Sequence, residues 1–369
     1  TRSGLYQYFT PAYDGYEGFI DEYGMSVIDT PSAEQSKYIK KTIGAKEFLQ
    51  NIRDSYKNNT SKLSEEKRQR PFNIDEAFRS DVNNSLFDVE RIYQQIDFNN
   101  SSNPVTVYGD FVWKGGVEDS EVVWQPRKNG KFHMAWIPPD ERRNKKDTKN
   151  GRLYPGNHVE LVAGCDPYDH DTTTDGRRSD AAAYVYKKFS MMDDFSSVFV
   201  CEYIHRPPKA EIFYEDMIKM CYFYGCQILV ENNKVGIIKY FERRGYNNYL
   251  MDRPESTHTS SSRTQKTKGI PSTGAAVLTA QAEAVSSYIY DHVGVNNETG
   301  EMGKCYFNKL LEDWSKFEID NRTKYDATVA SSIALLAAQK FVKPKSKQTF
   351  DMNKFVKKYK NTGLISKRI

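Results

Sequence analysis

Three acidic residues, Asp166, Glu231 and Asp326, stand at the ends of otherwise apolar stretches. Asp166 closes Val159-Glu160-Leu161-Val162-Ala163-Gly164-Cys165, Glu231 closes Ile228-Leu229-Val230, and Asp326 opens the run from Ala327 to Ala338. Their separations exceed any local turn motif, so only a fold can gather them, and carboxylates gathered in this way read as a divalent-metal site. Two dications ~4 Å apart repel by roughly 16 kcal/mol at an effective dielectric of 20, which is why such sites use several carboxylates.

Each residue also has a plainer reading when taken singly. Asp166 precedes Pro167, a common turn initiator. Glu231 suits an exposed strand end, and Asp326 suits the N-cap of its own helix, where it would accept a backbone N–H and favour the helix dipole. The conjunction favours the metal reading if the helix begun by Asp326 lays its small residues Ala327, Ala330, Ala334 and Ala337 against a sheet. Neighbouring Asp169, Asp171 and Asp175 miss the spacing of a calcium loop.

The elements that must position the trio follow from periodicity. Strands are expected at 159–165, 182–188 and 198–204, then helix 209–225, strand 227–231 and helix 236–244. A short strand over 248–251, helices over 274–292 and 303–319, and the Ala-rich helix from Asp326 complete the series. Three strands followed by alternating helix and strand predict an α/β fold with a mixed sheet flanked by helices, in which ligands gather at strand ends. Upstream, a single helix is expected from Pro31 through Lys57. A small β module is expected between Asn103 and Pro138, and the polar run from Pro138 to Asn157 reads as an exposed linker.

Composition narrows the class. With 369 residues, 38% hydrophobic and 28% charged, the chain falls among soluble globular proteins of two or three domains. It lacks the run of ~18 apolar residues needed to span a bilayer, and no basic start leads into an apolar stretch, so a cytoplasmic protein without membrane partners is expected. The five cysteines are scattered and read as reduced, buried thiols. No stretch fits G-x-x-x-x-G-K-[ST], so no nucleotide-cradling loop is expected. The net charge of +4 hides an asymmetry: ten Lys or Arg face the single Asp351 between Lys340 and Ile369, and this basic tail suits phosphate neutralisation or partner docking. Because the chain begins at Thr1, it is expected to be a segment of something longer.

At these residues the sequence resembles the nuclease domain of tailed-phage terminase large subunits, within the ribonuclease H-like superfamily. The resemblance rests on Val162-Ala163-Gly164-Cys165-Asp166-Pro167, Ile228-Leu229-Val230-Glu231-Asn232-Asn233 and Lys324-Tyr325-Asp326-Ala327-Thr328-Val329-Ala330, in that order. Upstream, Ser3-Gly4-Leu5-Tyr6 with Phe9-Thr10-Pro11-Ala12, and Arg70-Pro71-Phe72-Asn73-Ile74-Asp75-Glu76-Ala77-Phe78, look like the region that follows the ATPase core in those subunits.

The resemblance implies a ribonuclease H-like mixed sheet preceded by an α+β segment and a small β module. Its implied boundaries are 1–80 for a remnant following an ATPase core, 81–157 for the β module and polar linker, 158–342 for the nuclease domain and 343–369 for the tail. It implies a metal-dependent DNA endonuclease that cuts concatemeric phage DNA during genome packaging in the host cell cytoplasm. Asp166 would bridge two Mg²⁺ or Mn²⁺ ions, with Glu231 and Asp326 each completing one coordination shell. Double-stranded DNA is the implied substrate; the portal protein, the small terminase subunit and an upstream ATPase domain are the implied partners. Arg177, Arg178, Arg263, Lys266 and Lys268 are candidate phosphate contacts. Two other readings stay open: a DNA-gripping and portal-docking module with latent cleavage, and a resolvase or transposase on the same fold.

Overall fold

In the computed structural model, residues 8–57, 59–77, 86–149, 151–168, 180–257, 267–272, 274–296, 299–318, 322 and 324–339 are described. The chain opens with four short helices, α1 (Ala33–Ile39), α2 (Ala45–Ser55), α3 (Thr60–Gln69) and α4 (Ile74–Ala77), followed by α5 (Val89–Ser101). The single helix expected from Pro31 through Lys57 is therefore two. The helical path breaks at Lys40, which adopts the left-handed conformation (φ 56°). It restarts at Gly44, where an added Cβ would stand 2.2 Å from the Asp29 carbonyl oxygen.

Strands β1 (Val107–Trp113), β2 (Val122–Pro126) and β3 (Phe132–Met134) form the expected β module, and β4 (Lys146–Lys149) and β5 (Arg152–Pro155) follow. Next come β6 (Leu161–Asp166), β7 (Ala181–Lys187), β8 (Val198–His205), α6 (Ala210–Tyr224), β9 (Gln227–Val230) and α7 (Gly236–Arg243). Helices α8 (Ala275–His292), α9 (Asn308–Ser315) and α10 (Asp326–Ala338) close the described chain. No described helix is long and apolar enough to cross a membrane.

The main sheet has seven strands in the order β2-β1-β3-β8-β7-β6-β9. Within it β8, β7 and β6 pair antiparallel, and β9 joins β6 in parallel. The sheet is therefore mixed, and helices cover both faces. Leu250 adds a parallel bridge to Ile228 at the stretch where a further short strand is expected from the sequence.

Two of the expected divisions change. The β module is no separate sheet, because β3 pairs antiparallel with β8 and so carries β1 and β2 into the main sheet. The run from Pro138 to Asn157 forms the β4–β5 hairpin rather than a plain linker. Buried Asn157 pins it, its amide donating to the Arg142 carbonyl at 2.7 Å and to the Tyr224 carbonyl at 2.8 Å.

The two sheet faces bury separate cores. Leu161, Ala163 and Cys165 of β6 face the core that contains α6 and α7. Val162 faces the opposite core, which contains α5, α8, α9 and α10. Alternation along the strand places Gly164 and Asp166 on that second face. Helix α10 presses directly onto it: a Cβ added at Gly164 would stand 2.1 Å from the Ala334 nitrogen and 2.5 Å from the Ala330 oxygen. Glycine on the strand and alanines on the helix thus let two backbones meet.

Since the clash at Gly164 is with backbone, which cannot rotate away, Gly164→Ala is expected to destabilise the protein by about 2 kcal/mol or more. Urea unfolding measures this, and an unchanged midpoint would remove the close approach as a constraint on α10.

Candidate metal centre

Strand pairing puts Asp166 and Glu231 side by side. Cys165 is the register partner of Val230, and the Glu231 N–H donates to the Cys165 carbonyl at 2.9 Å. Leu229 belongs to the core beneath α10, so Glu231, two residues on, shares its face with Asp166. Both side chains are deeply buried, at 6% and 5% exposure.

Asp326 arrives on the first turn of α10. Its Oδ2 accepts the backbone N–H of Asp180, just before β7, at 2.9 Å. The N-cap residue of α10, Tyr325, makes no side-chain capping hydrogen bond. That work falls to Asp313 on α9, whose Oδ2 accepts from the Thr328 N–H at 2.7 Å and from the Thr328 hydroxyl at 2.9 Å. A carboxylate from a neighbouring helix thus caps α10, and Asp326 is turned to the sheet edge instead.

Lys234 is drawn into the same place from the turn between β9 and α7. Its ammonium lies 3.4 Å from Asp166 Oδ1 and donates to the Pro167 carbonyl. Burial disfavours its charge, but Asp166, Glu231 and Asp326 outweigh burial and hold the lysine pKa above its ordinary value. Arg322 approaches Glu231 at 3.7 Å, and the Asn233 amide donates to Glu231 Oε1 at 3.3 Å.

Charge and burial perturb Asp166 strongly. Burial first, and then the negative charge of Glu231, push its carboxyl well above the usual range, while Lys234 opposes the shift. A hydrogen bond with Glu231 and the charge of Asp326 raise it further. Asp313 is raised to about 6, chiefly by burial and despite the two Thr328 bonds.

Among the described residues no three His, Cys, Asp or Glu side chains stand as a ready-made metal cage. The donors nonetheless fit a hard cation. They are all carboxylate oxygen, two are buried at adjacent strand ends, and their mutual repulsion is already answered by a cationic group. All-oxygen sites of this type suit Mg²⁺ and Mn²⁺ rather than metals that prefer nitrogen or sulfur.

The sequence reading missed Lys234, Arg322, Asn233 and Asp313. A hint for Lys234 lay in its position three residues beyond Glu231; Asp313 gave no local signal, because its partner is on another helix. Of the candidate phosphate contacts, Arg177, Arg178, Arg263 and Lys266 lie outside the described residues. Lys268 is described, and its ammonium pairs with Asp252 at 3.0 Å and donates to the Leu250 carbonyl at 2.9 Å. All five cysteines are free and buried.

No family model matches the sequence, and no curated protein does. Among solved structures the chain is similar to the large terminase nuclease from thermophilic phage G20c. The crystal structure of that nuclease with bound zinc gives a TM-score of 0.34 at 11% identity, covering 56% of this chain and 88% of that one. A second structure of the same nuclease gives 0.33 at 9% identity, covering 56% and 89%. Neither likeness assigns a role to any residue here; the roles rest on the distances and burial above.

Two outcomes follow from the raised Asp166. A carboxyl whose folded pKa exceeds its ordinary value of 3.8 adds stability at low pH that is lost as pH rises through the folded value. Near neutral pH and in chelator its charge is therefore a cost, and Asp166→Asn is expected to melt about 2 °C or more above the parent. A cation must also displace the proton, so Mn²⁺ affinity measured by titration calorimetry is expected to rise with pH from the acid side. A flat profile, or a variant that melts lower in chelator, would count against the site.

Proposed function

We propose that this protein is a metal-dependent DNA endonuclease that hydrolyses phosphodiester bonds at the edge formed by Asp166, Glu231 and Asp326. The observation that supports the reading is the pair of buried carboxylates Asp166 and Glu231 at adjacent strand ends, near enough to Lys234 and to Asp326 at the start of α10 for their charges to act on Asp166. Two Mg²⁺ or Mn²⁺ ions held there would supply an activated water and neutralise the leaving oxygen.

The chain's own residues set the conditions for that chemistry. Asp166, flanked by Glu231 and Lys234, is the central ligand, and Glu231 and Asp326 hold its two sides. Lys234 balances the carboxylates before a cation arrives and then offers its ammonium to a phosphate oxygen of the scissile strand. Arg322 supplies a second positive charge beside Glu231. Asp313 fixes the first turn of α10 through Thr328, which keeps Asp326 in register with the strand ends.

In this reading the enzyme cuts concatemeric phage DNA during packaging, in the host cytoplasm, beside an ATPase domain, a small terminase subunit and a portal protein. Supercoiled plasmid incubated with Mg²⁺ or Mn²⁺ tests the catalytic core of the proposal. Nicked and linear products are expected from the parent. Asp166→Asn, Glu231→Gln and Asp326→Asn should each slow cleavage by on the order of 100-fold, the scale on which losing one electrostatic stabiliser of a transition state acts. An Asp166→Asn variant that cleaves as fast as the parent would sink the mechanism.

A further inference from the structure

A second polar site lies along the sheet from the carboxylate trio. Strand register aligns Tyr108 of β1 with His133 of β3, and His133 with Glu202 of β8. The three side chains therefore form one row across neighbouring strands. The row floors a cavity of ≈ 230 Å³ whose other walls come from the end of α5, the segment after it and the start of α9.

Glu202 is the unusual member. It interrupts the apolar strand Val198-Phe199-Val200-Cys201, and only 3% of it is exposed. Its Oε2 accepts the Tyr184 hydroxyl at 2.8 Å. Its Oε1 faces His133 Nδ1 at 3.5 Å, too long for a good hydrogen bond. A buried carboxylate with so little compensation is costly, and a cation entering the cavity would offset that cost.

The walls suit one kind of cation. The Tyr108 and His133 rings lie parallel, 4.0 Å apart and 4° from coplanar, and Phe98 and Tyr306 also line the cavity. The stack leaves the Tyr108 and His133 rings covered by each other, and an aromatic-lined cavity beside a buried carboxylate favours a planar, weakly hydrated guanidinium over a compact, strongly hydrated ammonium. At the mouth, Val105 is 51% exposed and Phe98 38% exposed, an apolar rim against which the chain flanking such a group can rest. Lys309 also reaches the mouth, but it is exposed and its charge is screened by water.

We propose that this cleft receives the guanidinium of an arginine presented by a partner protein, with Glu202 as its anion and Phe98 and Tyr306 among its aromatic walls. The inference does not depend on nuclease activity. Calorimetric titration of the full chain with the blocked tripeptide Ala-Arg-Ala, its citrulline counterpart and methylguanidinium tests it.

The arginine peptide is expected to bind and the uncharged citrulline peptide is not. Glu202→Gln should weaken the arginine peptide by roughly tenfold or more, and the rim variant Phe98→Ala, which leaves Tyr108, His133 and Glu202 in place, should weaken it severalfold. Tighter binding of the peptide than of methylguanidinium supports a protein partner; equal binding overturns that source in favour of a free guanidinium compound. No binding of the arginine peptide, or binding that a folded Phe98→Ala or Glu202→Gln protein retains in full, overturns the site.

Discussion

The candidate metal centre depends on the meeting of α10 with β6 at Gly164. Strand alternation alone brings Asp166 and Glu231 to one edge, but the third carboxylate comes from a helix, and a helix normally stands off a sheet by the length of its side chains. Here the standoff is removed. The missing Cβ at Gly164 and the small Ala330 and Ala334 above it bring α10 down until its first turn reaches the strand ends. Every residue from Ala327 to Ala337 is buried, so the contact is set along the helix's length and not by its end alone.

A site assembled in this way works against the local preferences of its parts. Asp at the start of a helix ordinarily caps it, yet here Asp313 does so from α9, and Asp326 bonds to the backbone of Asp180. Burial first, and then the neighbouring charge of Glu231, raise the Asp166 carboxyl, and that shift is a standing cost to the folded protein. Lys234 limits that cost without abolishing it, for it is itself partly desolvated. Such uncompensated features concentrate where a protein needs reactivity more than stability.

The strands and helices of the second half were legible in the sequence because each is long and strongly patterned, and the trio was legible because its members sit where those patterns stop. What escaped depended on distant partners. The pairing of β3 with β8 joins residues some seventy positions apart, so periodicity alone drew a domain boundary where the sheet runs through. The β4–β5 hairpin hid in a polar run because its anchor, Asn157, bonds to carbonyls on either side rather than to an apolar core. The break at Lys40 was invisible because lysine carries no turn signal. Asp313 and Lys234 take their partners from other elements, Thr328 on α10 and Asp166 at the end of β6.

The two sites on this face share a structural cause. One row of register partners runs from Gly164 through Tyr184, Glu202 and His133 to Tyr108. At the Gly164 end the row is as small as a residue can be, and α10 seals it. Toward Tyr108 the side chains are large and polar, and the cover passes to the end of α5 and the start of α9, whose Asn99 and Asn308 bond to each other at 2.9 Å. A helix laid as closely there as α10 lies on β6 would have to bury Glu202 and His133 against backbone. The sheet instead keeps a cavity over them, and the same face that closes tightly at one end over Gly164 stays open at the other over the buried Glu202.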